Sequence, residues 1–136
     1  MKYLLFCLTL LSLSVQAFED DKLKFEFGRV IFNELQEAIG FEHTEKIPVV
    51  LKGANVMYGL LVTSETDEIL TLDSVHTIPT KDNKVIKVIG KSINMKHKAA
   101  IFLKTENKDV VGDYKMEVFI DGRLIKTFDY QLVSST

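Results

Sequence analysis

The stretch Gly112–Val133, GDYKMEVFIDGRLIKTFDYQLV, leaves this chain the fewest ways to fold. Two alternating runs flank Asp121-Gly122, a dipeptide whose readiness to adopt positive φ suits the two-residue turn of a β-hairpin. On the first run Tyr114, Met116, Val118 and Ile120 share one face, with Lys115 and Glu117 on the other. On the second, Leu124, Phe128, Tyr130 and Leu132 share a face, while Thr127, Asp129 and Gln131 point away. A period of two is what a half-buried strand needs, because successive side chains leave opposite sides of the pleat. The hairpin therefore anchors an all-β domain. Gly112-Asp113-Tyr114 at its start has the form of a tyrosine corner, in which the hydroxyl bonds a nearby backbone carbonyl.

Met1–Ala17 reads as a cleaved signal peptide and stands apart from the fold. Lys2 supplies a positive start, and Tyr3–Val15 is an apolar run too short for a membrane span, which takes about 20 residues. Val15 and Ala17 place small residues at the −3 and −1 positions of a cleavage site before Phe18. An uncleaved anchor fits less well, since acidic Glu19-Asp20-Asp21 follows without a basic stop-transfer cluster. Residues 18–136 then form one domain, exported to a bacterial periplasm or secreted.

Losing the leader removes one of 17 basic residues and none of the 19 acidic ones, so the net charge moves from −2 to −3. It also removes Cys7, the only cysteine. A domain of this size without disulfides must rest on its core, and such exported domains suit a bacterium better than a eukaryotic secretory pathway. Mild acidity argues against nucleic acid and anionic membrane surfaces, both of which require a positive field.

The remaining segments read as short strands separated by turns. Leu23–Asn33 is a strand in which Gly28 marks a bulge or a close backbone approach. Residues 33–40 suggest a single helical turn capped by Asn33, or an irregular connection. Phe41–Leu51 is a strand interrupted at Ile47-Pro48, and proline, lacking an amide donor, belongs on an edge strand or at a strand start. Gly53-Ala54-Asn55 is a turn, and Val56–Thr63 is nearly all apolar, either a central strand covered on both sides or a strand with a bulge at Gly59. Ile69–His76 alternates, with Leu70, Leu72, Ser74 and His76 on one face. Ile78-Pro79 repeats the earlier Ile-Pro pair as a second sign of a managed edge. Val85–Val88 is a short strand, Gly90–Lys98 a lysine-rich loop, and Ala99–Thr105 a compact apolar strand. Strands at intervals of about 8–12 residues with turn signals between them point to a β-sandwich.

The chemistry of the chain is read mostly from absences. No G-x-S-x-G, P-loop or H-E-x-x-H pattern occurs, and without a cysteine past the leader thiol catalysis has no nucleophile. His43, His76 and His97 have no paired spacing. His43 between Glu42 and Glu45 suits zinc only where the fold brings His76 beside it; the plainer reading is a solvated strand face. Carboxylates at Glu45, Glu65, Asp67, Glu68, Asp73 and Asp113 show no spacing that singles out a catalytic pair, and acids at strand ends commonly form turns. Glu19-Asp20-Asp21 is an ordinary acidic terminus rather than a calcium site. Lys87, Lys91, Lys96 and Lys98 form a locally basic stretch, either a solvated loop or a face turned to a partner.

Four features in order carry a resemblance: Phe27-Gly28; Thr44-Glu45-Lys46-Ile47-Pro48 leading into a strand; Tyr58-Gly59 after Gly53; and the Gly112-x-Tyr114 hairpin ending in Phe128 and Val133. Together they resemble a family of small exported bacterial proteins of unknown function with an immunoglobulin-like sandwich. The resemblance implies a fold and no activity. The expectation is thus an all-β, immunoglobulin-like antiparallel β-sandwich of about seven to eight strands, closed by the C-terminal hairpin. Its expected role is non-enzymatic binding of a protein or cell-envelope component through a sheet face or edge, with no catalytic, cofactor or metal residues assigned. An accessory or chaperone-like subunit of an envelope complex, and a hydrolase with a carboxylate site, are the alternatives.

Overall fold

A computed structural model describes residues 22–135, all of them in strands, turns and loops. Met1–Ala17, expected to be a signal peptide, and Glu19-Asp20-Asp21 lie outside the described residues. The strands are β1 (Leu23–Phe32), β2 (Ala38–His43), β3 (Lys46–Pro48), β4 (Val50–Leu51), β5 (Ala54–Asn55) and β6 (Met57–Ser64). They continue with β7 (Leu70–Pro79), β8 (Val85–Ile89), β9 (Ile93–Met95), β10 (Lys98–Lys104), β11 (Gly112–Ile120) and β12 (Arg123–Val133). Eight of these are five residues or longer, in line with the expected count.

One sheet runs β10-β6-β1-β2 and the other β3-β12-β11-β7-β8, with β9 beside the start of β7; β4 and β5 make a small separate hairpin. All pairs are antiparallel except β3 with β12. The sheets meet face to face because their inward residues share one core. Tyr58, Leu60 and Val62 of β6 pack there with Leu72 of β7, Met116 and Val118 of β11, and Tyr130 and Leu132 of β12. Phe27 crosses the gap, its ring 4.9 Å from that of Tyr130 and 5.8 Å from that of Phe128. Each fully buried aliphatic side chain contributes about 1.5–3 kcal/mol. The architecture is an all-β, immunoglobulin-like sandwich.

The closing hairpin forms as its sequence demands. Asp121 (φ 49°) and Gly122 (φ 82°) make the turn between paired Ile120 and Arg123. The turn also docks on β7, since the Asp121 amide donates to the Thr71 carbonyl and Asp121 Oδ1 accepts from the Thr71 amide, each at 2.9 Å. Tyr114, Met116, Val118 and Ile120 are all buried. Tyr114 completes the tyrosine corner, its hydroxyl donating to the Val110 carbonyl at 2.7 Å. Leu124, assigned inward from alternation, is instead 52 % exposed. The register slips beside Val118, which pairs with Lys126 while Phe119 pairs with Leu124, so Ile125 is the extra residue and reverses the faces near the turn.

Four other expectations are corrected. Residues 33–40 hold no helical turn: Asn33 Oδ1 accepts from the amides of Leu35 (2.9 Å) and Glu37 (3.0 Å) to build a hairpin loop, and Ala38–Gly40 already belong to β2. Phe41–Leu51 is not one strand. After His43 the chain leaves the first sheet, and β3 joins the second, where Ile47 is buried and Pro48 sits on the edge as expected. Pro79 marks no edge, because β7 is interior; its missing donor costs nothing since the ladder to β11 ends at Thr77. The lysine-rich segment 90–98 contains β9, and Met95 within it is buried.

Gly28 and Gly59 are directly paired between β1 and β6, with no bulge at either. Both are close approaches of backbone to backbone. A Cβ on Gly28 would fall 1.9 Å from the Glu42 carbonyl oxygen, and one on Gly59 1.9 Å from that of Ile101. Gly59 also holds φ at +149°, a region open essentially to glycine alone.

Candidate functional site

The short strand β8, Val85-Ile86-Lys87-Val88-Ile89, is rich in β-branched residues that favour an extended backbone. It turns back onto β7 through Thr80–Lys84, where Thr80 Oγ1 donates to the Lys84 carbonyl and Asn83 takes φ 59°. Strand β8 is the last in its sheet, so one side of its backbone has no neighbour. The Thr80 amide donates to Lys84 and the Gly90 amide to Ser74, each at 2.8 Å. Bonded and non-bonded pairs alternate along an antiparallel ladder. The backbones of Ile86 and Val88 therefore face β7, while the N–H and C=O groups of Val85, Lys87 and Ile89 point to the open side.

The side chains make this edge unusual. Val85 is 65 % exposed and Ile89 80 % exposed, and Ile86 and Val88 are exposed as well. Natural edges are commonly guarded by charge, proline or a bulge. Here Lys87 alone interrupts the apolar run. Between residues 80 and 91, on and beside β8, the chain carries four lysines, at 81, 84, 87 and 91, against the single acid Asp82. All four are exposed, and none enters an ion pair among the described residues. In a protein of net negative charge this is a local positive field around an apolar edge.

Next to β8 the two sheets part to leave a cleft of about 250 Å³. Its apolar walls are Ile78, Val88 and Leu103, and its polar groups come from Tyr58, Tyr114, Tyr130 and His76. The Tyr58 and Tyr130 hydroxyls lie 3.4 Å apart. Burial pushes the Tyr58 hydroxyl far up, and pushes those of Tyr114 and Tyr130 up to about 12. His76 is only 5 % exposed; its Nε2 meets Ser74 Oγ at 2.9 Å, and its Nδ1 has no hydrogen-bond partner. Burial holds His76 below the ordinary imidazole value, favouring the neutral ring. Ser74 and His76 resemble a nucleophile–base pair in distance alone. Ser74 is 1 % exposed and, unlike His76, does not line the cleft, so its hydroxyl has no access to a substrate there.

The structure separates the histidines. His43 is an exposed residue of β2 whose Nε2 lies 3.6 Å from Glu26, and Glu42 pairs with Arg29 at 2.6 Å. His76 is buried in the opposite sheet, and His97 meets Asp67 at 3.2 Å. No group of three potential metal ligands occurs among the described residues. The carboxylates are likewise dispersed. Glu65, Asp67 and Glu68 occupy the loop after β6, and Asp73 bonds Ser92. Glu45 and Asp113 do share a surface depression with Asp129, where Gln131 Nε2 donates to Asp113 at 2.9 Å. All three acids there are exposed. Lys87 and Lys91 lie on and just past β8, whereas Lys96 follows β9 at the start of β7 and Lys98 opens β10 in the other sheet. The tyrosine cleft was not foreseen: its residues lie on strands from both sheets, and only the shared parity of Leu72, Ser74 and His76 hinted that His76 turns inward.

No helix among the described residues is long and apolar enough to cross a membrane. No protein-family model and no curated protein matches the chain. Among solved structures, it is similar to an immunoglobulin-like protein from Pseudomonas aeruginosa, at 21 % identity and a TM-score of 0.49, covering 81 % of this chain and 92 % of that one. It is also similar to a Pseudomonas fluorescens alkylpurine DNA glycosylase bound to DNA containing an abasic-site analogue, at 12 % identity and a TM-score of 0.44. That match covers 83 % of this chain and 31 % of the glycosylase. Likenesses of this size leave activity open.

Proposed function

We propose that the protein is an exported, non-enzymatic interaction module that captures an extended acidic segment of a partner protein by adding it as a strand to β8. The observation that carries this is the open, largely apolar edge: three alternate outward backbone positions, Val85, Lys87 and Ile89, flanked by exposed aliphatic side chains. Strand addition draws affinity from main-chain hydrogen bonds and specificity from alternate side chains. The four lysines on and beside the strand, Lys81, Lys84, Lys87 and Lys91, select the charge of the segment. A second copy of the chain is the poorer occupant, because symmetric antiparallel pairing about Lys87 sets like charges opposite each other, which destabilises a strand pair. The leader-like Met1–Ala17 and the lack of any later cysteine support a periplasmic or secreted setting.

The test uses a labelled seven-residue peptide with glutamate at its ends and centre and valine or isoleucine between. Fluorescence anisotropy shows saturable binding that weakens with salt, and a lysine-for-glutamate peptide does not bind. Lys87→Pro removes an outward amide while sparing the ladder to β7, and abolishes binding with little change in the unfolding midpoint. Equal binding of both peptides, or unaltered binding by Lys87→Pro, overturns the reading.

A further inference from the structure

We infer that the cleft between the sheets, beside β8, is a second site, which takes a small neutral single-ring molecule bearing a hydroxyl, of the phenol class. Its volume of about 250 Å³ exceeds the roughly 150 Å³ of an engineered protein cavity that admits benzene. Aliphatic walls from Ile78, Val88 and Leu103 suit the faces of such a ring. One polar atom of its lining residues has no partner among the described residues. His76 Nδ1 is buried without a hydrogen bond, although buried polar atoms are nearly always satisfied. The Tyr58 and Tyr130 hydroxyls share one long hydrogen bond of 3.4 Å, which leaves each with further hydrogen-bonding capacity. A ligand hydroxyl can both donate and accept, which matches a site made of phenols and an imidazole.

The surroundings hold these groups in place. Ser74 Oγ fixes the His76 ring through Nε2, and Gly90 keeps the neighbouring backbone clear, since a Cβ there would lie 2.3 Å from Ser74 Oγ and 3.2 Å from Nε2. Tyr114 is tied to Val110 and stacked on Tyr130 at 5.5 Å. Charge selects against ions. The lining pairs one cation, Lys104, with one anion, Asp109, so the wall itself favours neither sign of ligand. Burying an uncompensated charge among neutral hydroxyls is costly.

Titration of the isotope-labelled full-length protein with phenol, followed by NMR, tests the site without reference to the strand edge. Saturable shifts at the rings of His76, Tyr58 and Tyr130, with a Kd near ~1 mM, are expected for so small a ligand. Benzoate binds at least tenfold more weakly. Leu103→Trp, which fills the cleft from its wall, abolishes the phenol shifts and leaves acidic-peptide binding intact. Tyr130→Phe weakens phenol about tenfold. Absence of saturable shifts at about 20 mM phenol, or shifts that persist unchanged in Leu103→Trp, overturns the inference.

Discussion

Replacing Gly59 with alanine tests the geometry of the first sheet more severely than any core truncation. Gly59 pairs with Gly28 on one side and Phe102 on the other. Two costs add. The backbone sits at φ +149°, where a side chain costs about 1–3 kcal/mol. The new Cβ would lie 1.9 Å from the Ile101 carbonyl oxygen, which is backbone and cannot rotate away. Relief requires β10 to move off β6, with loss of about two ladder hydrogen bonds at roughly 1 kcal/mol each. The sum is about 3–5 kcal/mol, a large part of the stability of an ordinary domain. Gly53→Ala is the matched control, because Gly53 also has positive φ (+81°) but has nothing within 4 Å of its Cβ position. That substitution costs only the conformational part, about 1–2 kcal/mol. Urea unfolding of both variants gives the comparison. Equal losses would refute the close approach of β6 to β10.

Three further substitutions or conditions probe single interactions. Tyr114→Phe deletes the hydroxyl bonded to the Val110 carbonyl and costs about 1 kcal/mol, read as a lowered melting midpoint; an unchanged midpoint removes the tyrosine corner. Thr105→Val keeps the shape but strips the buried hydroxyl that accepts from the Val56 amide at 2.8 Å and donates to the Val49 carbonyl at 2.6 Å. It costs about 2–4 kcal/mol in denaturant unfolding, and a loss below 1 kcal/mol means the hydroxyl does not join these strands. His76 binds its proton less readily folded than unfolded, so the unfolded state takes up more protons once pH drops below the unfolded value of about 6.5. Stability therefore falls with pH from there, by at most 1.36 kcal/mol per pH unit from this group. His76→Gln removes that part of the slope between pH 6.5 and 5, and identical slopes in the two proteins would contradict a buried neutral ring.

What the residues disclose in advance follows their range of interaction. The hairpin at Asp121-Gly122 was legible because its turn chemistry and its alternation are local and agree. Leu124 was misplaced because a bulge at Ile125 leaves no mark on the hydrophobic pattern, only on the pairing. Gly28 announced a special position, but whether it was a bulge or a contact depended on Glu42 across the sheet. Residues 41–51 looked continuous because a strand that changes sheets keeps its extended backbone. The basic stretch was visible from composition, yet its meaning depended on β8 being terminal, and strand order is set by pairings distant in sequence. The cleft was the least legible feature. Tyr58, His76, Tyr114 and Tyr130 meet only when both sheets close.

Backbone exchange is the direct measure of an open edge. In the free protein the amides of Val85, Lys87 and Ile89 exchange rapidly with deuterium, while those of Ile86 and Val88, bonded to β7, are protected. Saturation with the glutamate-bearing peptide should slow Val85, Lys87 and Ile89 selectively. Protection that appears on β2, β3 or β10 instead, or on no amide at all, would contradict strand addition at β8.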